Sequence, residues 1–205
     1  MDGTLLDLHF DNHFWREYVM HKYSEAHQMP LEQVRPKLLR RMEEKKGTLD
    51  WYCLDFWSDE LKLDILLLKR EVEHLIRLHP HAEEFLQALR GWRPMLLVTD
   101  AHPDILQMKL KRTGISVYFD AIISSHEFKQ PKETQEFWQQ LHQRLQFDPE
   151  RTLLVDDSER VLAAARRFGI GRLLAISRPD SQGERNEFSG IPAINDFSEI
   201  LPIKR

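Results

Sequence analysis

Side chains suited to phosphate chemistry stand directly after short apolar runs of this chain. Thr99 and Asp100 follow one such run, and Asp156 and Asp157 follow another. Lys132 lies between them, at the entry to a segment with helical character. A hydroxyl and an ammonium group can hold phosphate oxygens, while paired carboxylates can hold a divalent cation. Together these groups favour phosphoryl transfer assisted by a divalent cation.

Each of these groups also has a structural explanation. Thr99 or Asp100 could cap a helix that begins near Pro103, and Lys132 could be a solvated surface lysine. The acidic pair fits this explanation less well, because adjacent carboxylates repel each other and an N-cap needs only one of them. The functional interpretation therefore depends on the presence of all these groups together, in this order along the chain.

The segments around these residues predict a doubly wound, Rossmann-like α/β core. Apolar runs typical of buried strands occur at residues 95–98, 121–124, 152–155 and 172–176. Helical patterns separate them at residues 82–90, 103–113, 132–146 and 161–168. This alternation indicates a parallel sheet covered on both faces, in which ligands bind at the carboxyl ends of the strands.

Residues 9–78 have a different pattern, helical throughout and without a convincing strand. The last two helices of this region are predicted at residues 51–61 and 66–78. We therefore predict two units, a core of residues 1–8 and 79–205 and an inserted all-helical unit of residues 9–78. The C-terminal residues 188–205 are expected to cover an edge of the sheet.

Composition and charge exclude several classes of protein. The 205 residues are 41% hydrophobic and 30% charged, which is typical of a soluble globular domain. A net charge of −4 gives no indication of nucleic-acid binding, and no apolar run approaches the ~20 residues that span a bilayer. The single cysteine suits a reducing compartment, and the ten histidines show no zinc-ligand spacing. We expect a cytoplasmic protein that binds neither nucleic acid nor membrane.

The string Asp2-Gly3-Thr4, taken with the later groups, resembles the haloacid dehalogenase-like (HAD) hydrolases over nearly the whole chain. In that family, Asp-x-Asp-Gly-Thr ends the first core strand, and its first aspartate attacks phosphorus to form an aspartyl-phosphate. The resemblance makes Asp2 the catalytic acid and base. Met1 stands at the x position, so we expect the first core strand and its nucleophile to precede this chain, and the chain as given to be inactive.

The other roles follow from the same resemblance. Thr99, with Asp100 beside it, would bind the transferring phosphoryl group, and Lys132 would neutralise charge on nucleophile and phosphate. The helical unit would be the small cap that one branch of the family inserts after its first strand. The implied cofactor is Mg²⁺, and its ligands would be the carboxylates of Asp156 and Asp157 and the backbone carbonyl of Asp2.

Four longer strings are similar to the bacterial GMP/IMP nucleotidases of this family. They are residues 2–15, 48–57, 99–103 and 154–159. The likeness implies hydrolysis of purine 5′-monophosphates. Asp100 departs from the asparagine expected in that group, a change that would alter hydrogen bonding near the phosphate.

Aromatic side chains in the helical unit are candidates for stacking on a purine base. They are Trp15, Trp51, Tyr52 and Trp57. The same rings could instead form the core of that unit. Two other functions stay open. One is a HAD phosphatase for another small ester, such as a sugar phosphate or phosphoglycolate, and the other is a non-catalytic HAD-like binding protein.

Overall fold

The computed structural model describes residues 1–203 and has the predicted α/β architecture. The helices are α1 (His9–His13), α2 (Val19–His27), α3 (Leu31–Lys45), α4 (Leu49–Tyr52), α5 (Leu54–Leu61), α6 (Ile65–Glu71), α7 (Ala82–Leu89), α8 (Pro103–Thr113), α9 (Gln135–Leu145) and α10 (Glu159–Phe168). The strands are β1 (Leu96–Thr99), β2 (Ala121–Ser124), β3 (Leu153–Asp156), β4 (Arg172–Ile176) and β5 (Ala193–Ile194). The predicted parallel α/β class is confirmed.

The strands form two parallel sheets instead of one continuous sheet. β1 pairs with β2, and Thr99 lies opposite Ser124 in that ladder. In the second sheet, β4 lies between β3 and β5, with Asp156 of β3 opposite Ala175 of β4. The predicted single sheet is thus divided, because no strand within residues 1–203 pairs with the second edge of β1 or of β3.

Residues 9–78, named the helical segment from here on, contain α1 to α6. The predicted helix 51–61 is broken between α4 and α5, because Cys53 has an extended backbone and its Sγ accepts the amide N–H of Phe56. The predicted helix 66–78 is shorter than expected, since α6 ends at Glu71 and only a 3₁₀ turn follows.

One hydrophobic core joins the helical segment to the start of the chain. Its fully buried side chains include Phe10, Phe14 and Trp57 of the helical segment and Leu6 of the N-terminal turn. Leu97 of β1 belongs to the same core. Burial of each such side chain stabilises the fold by about 1.5–3 kcal/mol, so the helical segment and the sheet are held together by packing.

The C-terminal region adds the edge strand β5 beside β4. Phe197, in the 3₁₀ turn that follows, stacks on Phe85 of α7 with 4.6 Å between ring centroids. The expected cover of a sheet edge is confirmed as far as residue 203, and residues 204–205 lie outside the described residues. Every helix described within residues 1–203 is too short or too polar to span a bilayer.

Candidate active site

The N-terminal turn places Asp2-Gly3-Thr4 against the acidic pair after β3. Thr4 Oγ1 donates a hydrogen bond to Asp157 Oδ1 at 3.0 Å. Gly3 has a φ of +70°, a left-handed conformation that glycine adopts without strain. A Cβ atom at Gly3 would also collide with the Asp157 carboxylate. The glycine thus allows the turn to approach the carboxylate closely.

Lys132 and Asp156 form a buried ion pair at the carboxyl end of β3. Lys132 Nζ lies 2.6 Å from Asp156 Oδ2, and the two side chains are only 6% and 5% exposed. Burial alone would raise the pKa of Asp156, but the Lys132 ammonium lowers it below its ordinary value. Burial would likewise lower the pKa of Lys132, but Asp156 and Asp100 raise it. Both partners are therefore charged at neutral pH.

The pKa of Asp157 is shifted in the opposite direction to that of Asp156. Its burial and the adjacent Asp156 carboxylate raise the pKa of Asp157 to about 7. Near neutral pH, one carboxyl group of the pair is ionised while the other is partly protonated. A cation bound beside the pair would therefore favour ionisation of both carboxyl groups.

Thr99 and Asp100 support this arrangement from the end of β1. Thr99 is 2% exposed, and its Oγ1 accepts the amide N–H of Ala101 at 3.2 Å. Asp100 Oδ1 accepts the backbone N–H of Lys132 at 3.0 Å, and burial raises the pKa of Asp100. The N-cap of α8 is His102, so neither predicted capping role applies to these two residues.

A buried lysine outside the predicted set of site residues binds Asp2. Lys109 of α8 is 1% exposed, and its Nζ donates to Asp2 Oδ1 and to Asp11 Oδ2, both at 2.6 Å. Lys69 of α6 donates to the other oxygen of Asp11 at 2.7 Å. Burial would raise the pKa of Asp11, but Lys109 and Lys69 hold it well below its usual range. Alternating charges thus connect Asp2 to the helical segment.

The sequence does carry a signal for these lysines. Lys109 lies on the buried face of α8, four residues after Ile105 and three after Leu106. Lys69 lies four residues after Ile65 on the buried face of α6. A charged side chain at an apolar position of a helical pattern needs a buried partner. The pattern therefore predicts two buried ion pairs, whereas their acidic partners become known only from the fold.

The four candidate aromatics have different environments. Trp57 is 2% exposed, donates its ring N–H to the Trp51 carbonyl at 3.0 Å, and packs against Trp15 with 5.5 Å between ring centroids. This burial corrects the predicted base-stacking role of Trp57, because its faces are covered by protein. Tyr52 instead donates its hydroxyl to Glu133 Oε1 at 2.8 Å, next to the site lysine.

Known proteins are similar in sequence to this chain. The family described as haloacid dehalogenase-like hydrolase matches residues 1–169. GMP/IMP nucleotidase YrfG of Escherichia coli (strain K12) is 36% identical over 203 residues, which are 98% of this chain and 91% of that protein. A phosphorylated carbohydrates phosphatase of Thermotoga maritima is 25% identical over 136 residues, 66% of this chain and 63% of that protein.

A solved structure shares the fold. The HAD phosphatase from Thermococcus onnurineus superposes with a TM-score of 0.81 at 22% identity, covering 98% of this chain and 93% of that one. The family match spans most of the chain, and the 36% identity to the nucleotidase extends through the helical segment. The predicted family is confirmed: this chain belongs to the haloacid dehalogenase-like hydrolases.

Proposed function

We propose that this protein is a Mg²⁺-dependent phosphomonoesterase that hydrolyses GMP and IMP through an aspartyl-phosphate. The observation that carries the proposal is the 36% identity to a GMP/IMP nucleotidase over 98% of the chain. That likeness includes the helical segment, which in this proposal is a cap of residues 9–78 on a core of residues 1–8 and 79–205. A cap is the part that selects among substrates sharing the same phosphoryl chemistry.

The phosphoryl group would bind between Lys132 and Thr99. The Lys132 ammonium is oriented by Asp156, and the backbone of Lys132 is held by Asp100. The Thr99 hydroxyl accepts an amide N–H through its oxygen, so its own hydrogen can be donated to phosphate. These donors are aligned before substrate binds, which is how a site stabilises charge that develops during reaction.

Asp2 would transfer protons in both halves of the reaction. Lys109 holds Oδ1 of Asp2, so the proton would be given and received at Oδ2. As an acid, Asp2 would protonate the leaving oxygen of the nucleoside. As a base, it would remove a proton from the water that hydrolyses the intermediate.

The attacking carboxylate, in this proposal, belongs to a strand that ends immediately before Met1. Its support is the division of the sheet, since β1 and β3 each have an unpaired edge within residues 1–203. A parallel strand between them would complete both ladders and direct its last side chain to the edge where Thr99 and Asp156 end their strands.

Mg²⁺ fits the chemistry of the acidic pair. Carboxylate and carbonyl oxygens are its preferred ligands, and Asp156, Asp157 and the Asp2 carbonyl would hold it. The raised pKa of Asp157 supports this fit, because the pair lacks the positive charge needed to ionise both carboxyl groups. When bound, Mg²⁺ would neutralise charge on the phosphoryl oxygens.

We expect Mg²⁺ to stabilise the folded chain more at about pH 8 than at about pH 6. The pKa of Asp157 is raised from 3.8 to about 7, so its protonated form contributes stability that is fully present below about pH 4 and is lost as pH rises through about 7. Mg²⁺ binds the ionised form and offsets that loss. Melting temperatures with and without Mg²⁺ at both pH values measure the effect.

The matched control for this titration is Asp157→Asn, which has no proton to release. Its Mg²⁺-induced shift should be small and should not depend on pH over this range. An equal shift for the unmodified chain at both pH values would mean that Asp157 does not bind the ion.

The proposed function is tested by extending the chain at its N-terminus with an apolar strand that ends in Asp directly before Met1. We expect Mg²⁺-dependent release of phosphate from GMP and IMP by the extended chain, and none by the 205-residue chain or by an extension that ends in Asn. Phosphate release from GMP, IMP, AMP, a sugar phosphate and phosphoglycolate is the measurement.

The panel also separates the alternatives. Preference for the sugar phosphate would make the relative from Thermotoga maritima the better guide to substrate and end the nucleotidase proposal. Hydrolysis by the extension ending in Asn would contradict the assigned nucleophile. Binding of nucleotide without hydrolysis by the extended chain would favour a non-catalytic binding protein.

A further inference from the structure

Three side chains that can bind a transition metal meet beside the candidate active site. Cys53 lies between α4 and α5, His102 is the N-cap of α8, and His126 lies in the 3₁₀ turn Ser125–Glu127 after β2. One ligand atom from each residue lies within 4.8 Å of the other two. Because the three residues are far apart in sequence, their spacing gave no sign of a metal site.

The buried ring nitrogen of His126 points to a ligand at this position. Nε2 of His126 is buried and has no hydrogen-bond partner within residues 1–203. A buried nitrogen without a partner costs free energy and calls for an explanation, such as a bound ion. The rings of His102 and His126 meet edge to face, with 5.1 Å between their centroids. His102 Nε2 also lies 3.7 Å from the carboxylate of Asp55.

The geometry points to a binding site for a divalent transition metal of the Zn²⁺ class, formed by Cys53, His102 and His126. Thiolate and imidazole ligands select such metals over Mg²⁺, which prefers oxygen. The fourth ligand would be water or the exposed carboxylate of Asp55. This site shares no ligand with the acidic pair at the end of β3.

The three ligand atoms are close enough to close around an ion. With Zn–S near 2.3 Å and Zn–N near 2.0 Å, a tetrahedral centre separates its ligand atoms by roughly 3.3–3.6 Å. The observed limit of 4.8 Å therefore requires movements of about 1 Å, which side-chain rotation provides. The Phe56 amide N–H, 3.5 Å from Cys53 Sγ, would remain as a donor that stabilises the thiolate.

A metal at this position would fix the helical segment to the α/β part of the molecule. Cys53 belongs to the helical segment, whereas His102 and His126 follow β1 and β2. Tyr52, the neighbour of Cys53, contacts Glu133 beside the site lysine. The ion would therefore control how far the helical segment can move from the phosphate-binding groups.

The test is a Co²⁺ titration of the metal-free, folded 205-residue chain in the presence of a reductant that contains no thiol. We expect one equivalent of Co²⁺ to produce a sulfur-to-cobalt charge-transfer band and the strong visible bands of four-coordinate Co²⁺. Cys53 is the single cysteine of the sequence, so the charge-transfer band can arise from no other residue. Zn²⁺ should abolish the bands, and excess Mg²⁺ should not.

Two variants and one control complete the experiment. Cys53→Ser keeps an N-cap acceptor for α5 and should lose the charge-transfer band. His126→Gln should keep the fold, checked by circular dichroism, and bind Co²⁺ at least about tenfold more weakly. His21→Gln, at an exposed histidine of α2, should bind like the unmodified chain. Absence of the band at saturating Co²⁺, or unchanged affinity of His126→Gln, would overturn the proposal.

Discussion

Replacing Lys132 with methionine is expected to lower the free energy of unfolding by about 3–5 kcal/mol, because it leaves a buried carboxylate without its partner. Asp156 is buried, and its Oδ2 lies 2.6 Å from the Lys132 ammonium. Asp100 is also buried and close enough for the same ammonium to affect its pKa. Methionine fills a similar volume, so the loss reports charge and not packing.

Urea denaturation of the Lys132→Met variant measures this effect, and Lys129→Met is its matched control. Lys129 is exposed, and its replacement should change stability by no more than about 0.5 kcal/mol. Mg²⁺ should raise the melting temperature of Lys132→Met more than that of the unmodified chain, since the cation replaces part of the lost charge. A Lys132→Met variant as stable as Lys129→Met would show that the pair is not buried in solution.

Replacing Lys109 with methionine should also lower the free energy of unfolding by about 3–5 kcal/mol, because it leaves two other carboxylates without their partner. Lys109 is 1% exposed and binds both Asp2 and Asp11 at 2.6 Å. Without it, the low pKa of Asp11 depends on Lys69 alone, so the carboxyl group should take up protons more readily. The pKa of Asp11 should thus be higher in the variant than in the unmodified chain. The variant should therefore lose stability, relative to the unmodified chain, mainly at pH values above its own Asp11 pKa, where the carboxyl group is ionised.

A double-mutant cycle of Lys109→Met with Asp2→Asn separates this pair from general packing. A coupling free energy of about 1 kcal/mol or more is expected for groups in such contact. Lys111→Met, at an exposed position of the same helix, is the control for helix propensity. Additive effects of Lys109→Met and Asp2→Asn would contradict the proposal that Lys109 orients the Asp2 carboxylate.

The strand ends at the candidate site were predictable, because side chains suited to phosphate chemistry follow directly after apolar runs in the sequence. Thr99 and Asp156 each end a strand close to the predicted position. Lys132 could be placed near them because the carboxyl ends of parallel strands share one edge. Parallel strand pairing within each of the two sheets follows the expected α/β pattern.

What the sequence could not show depends on contacts between distant segments. The break at Cys53 depends on a side-chain bond to the Phe56 amide, which competes with a helical pattern that looked continuous. The pairing of Lys109 with Asp11 joins residues 98 positions apart, and no local pattern names that partner. The burial of Trp57 was left open because a stacking ring and a core ring have the same spacing in a helix.

Within residues 1–203, β1 and β3 each have an edge that no strand pairs with, and this has a consequence for how the protein could be assembled from parts. Each edge presents backbone N–H and C=O groups that a further strand can pair with. A separate apolar peptide ending in aspartate could then add between them as a strand, with its carboxylate next to Lys132. An enzyme of the proposed function would then be complementable in trans, with one piece binding the phosphoryl group and the other supplying the attacking carboxylate.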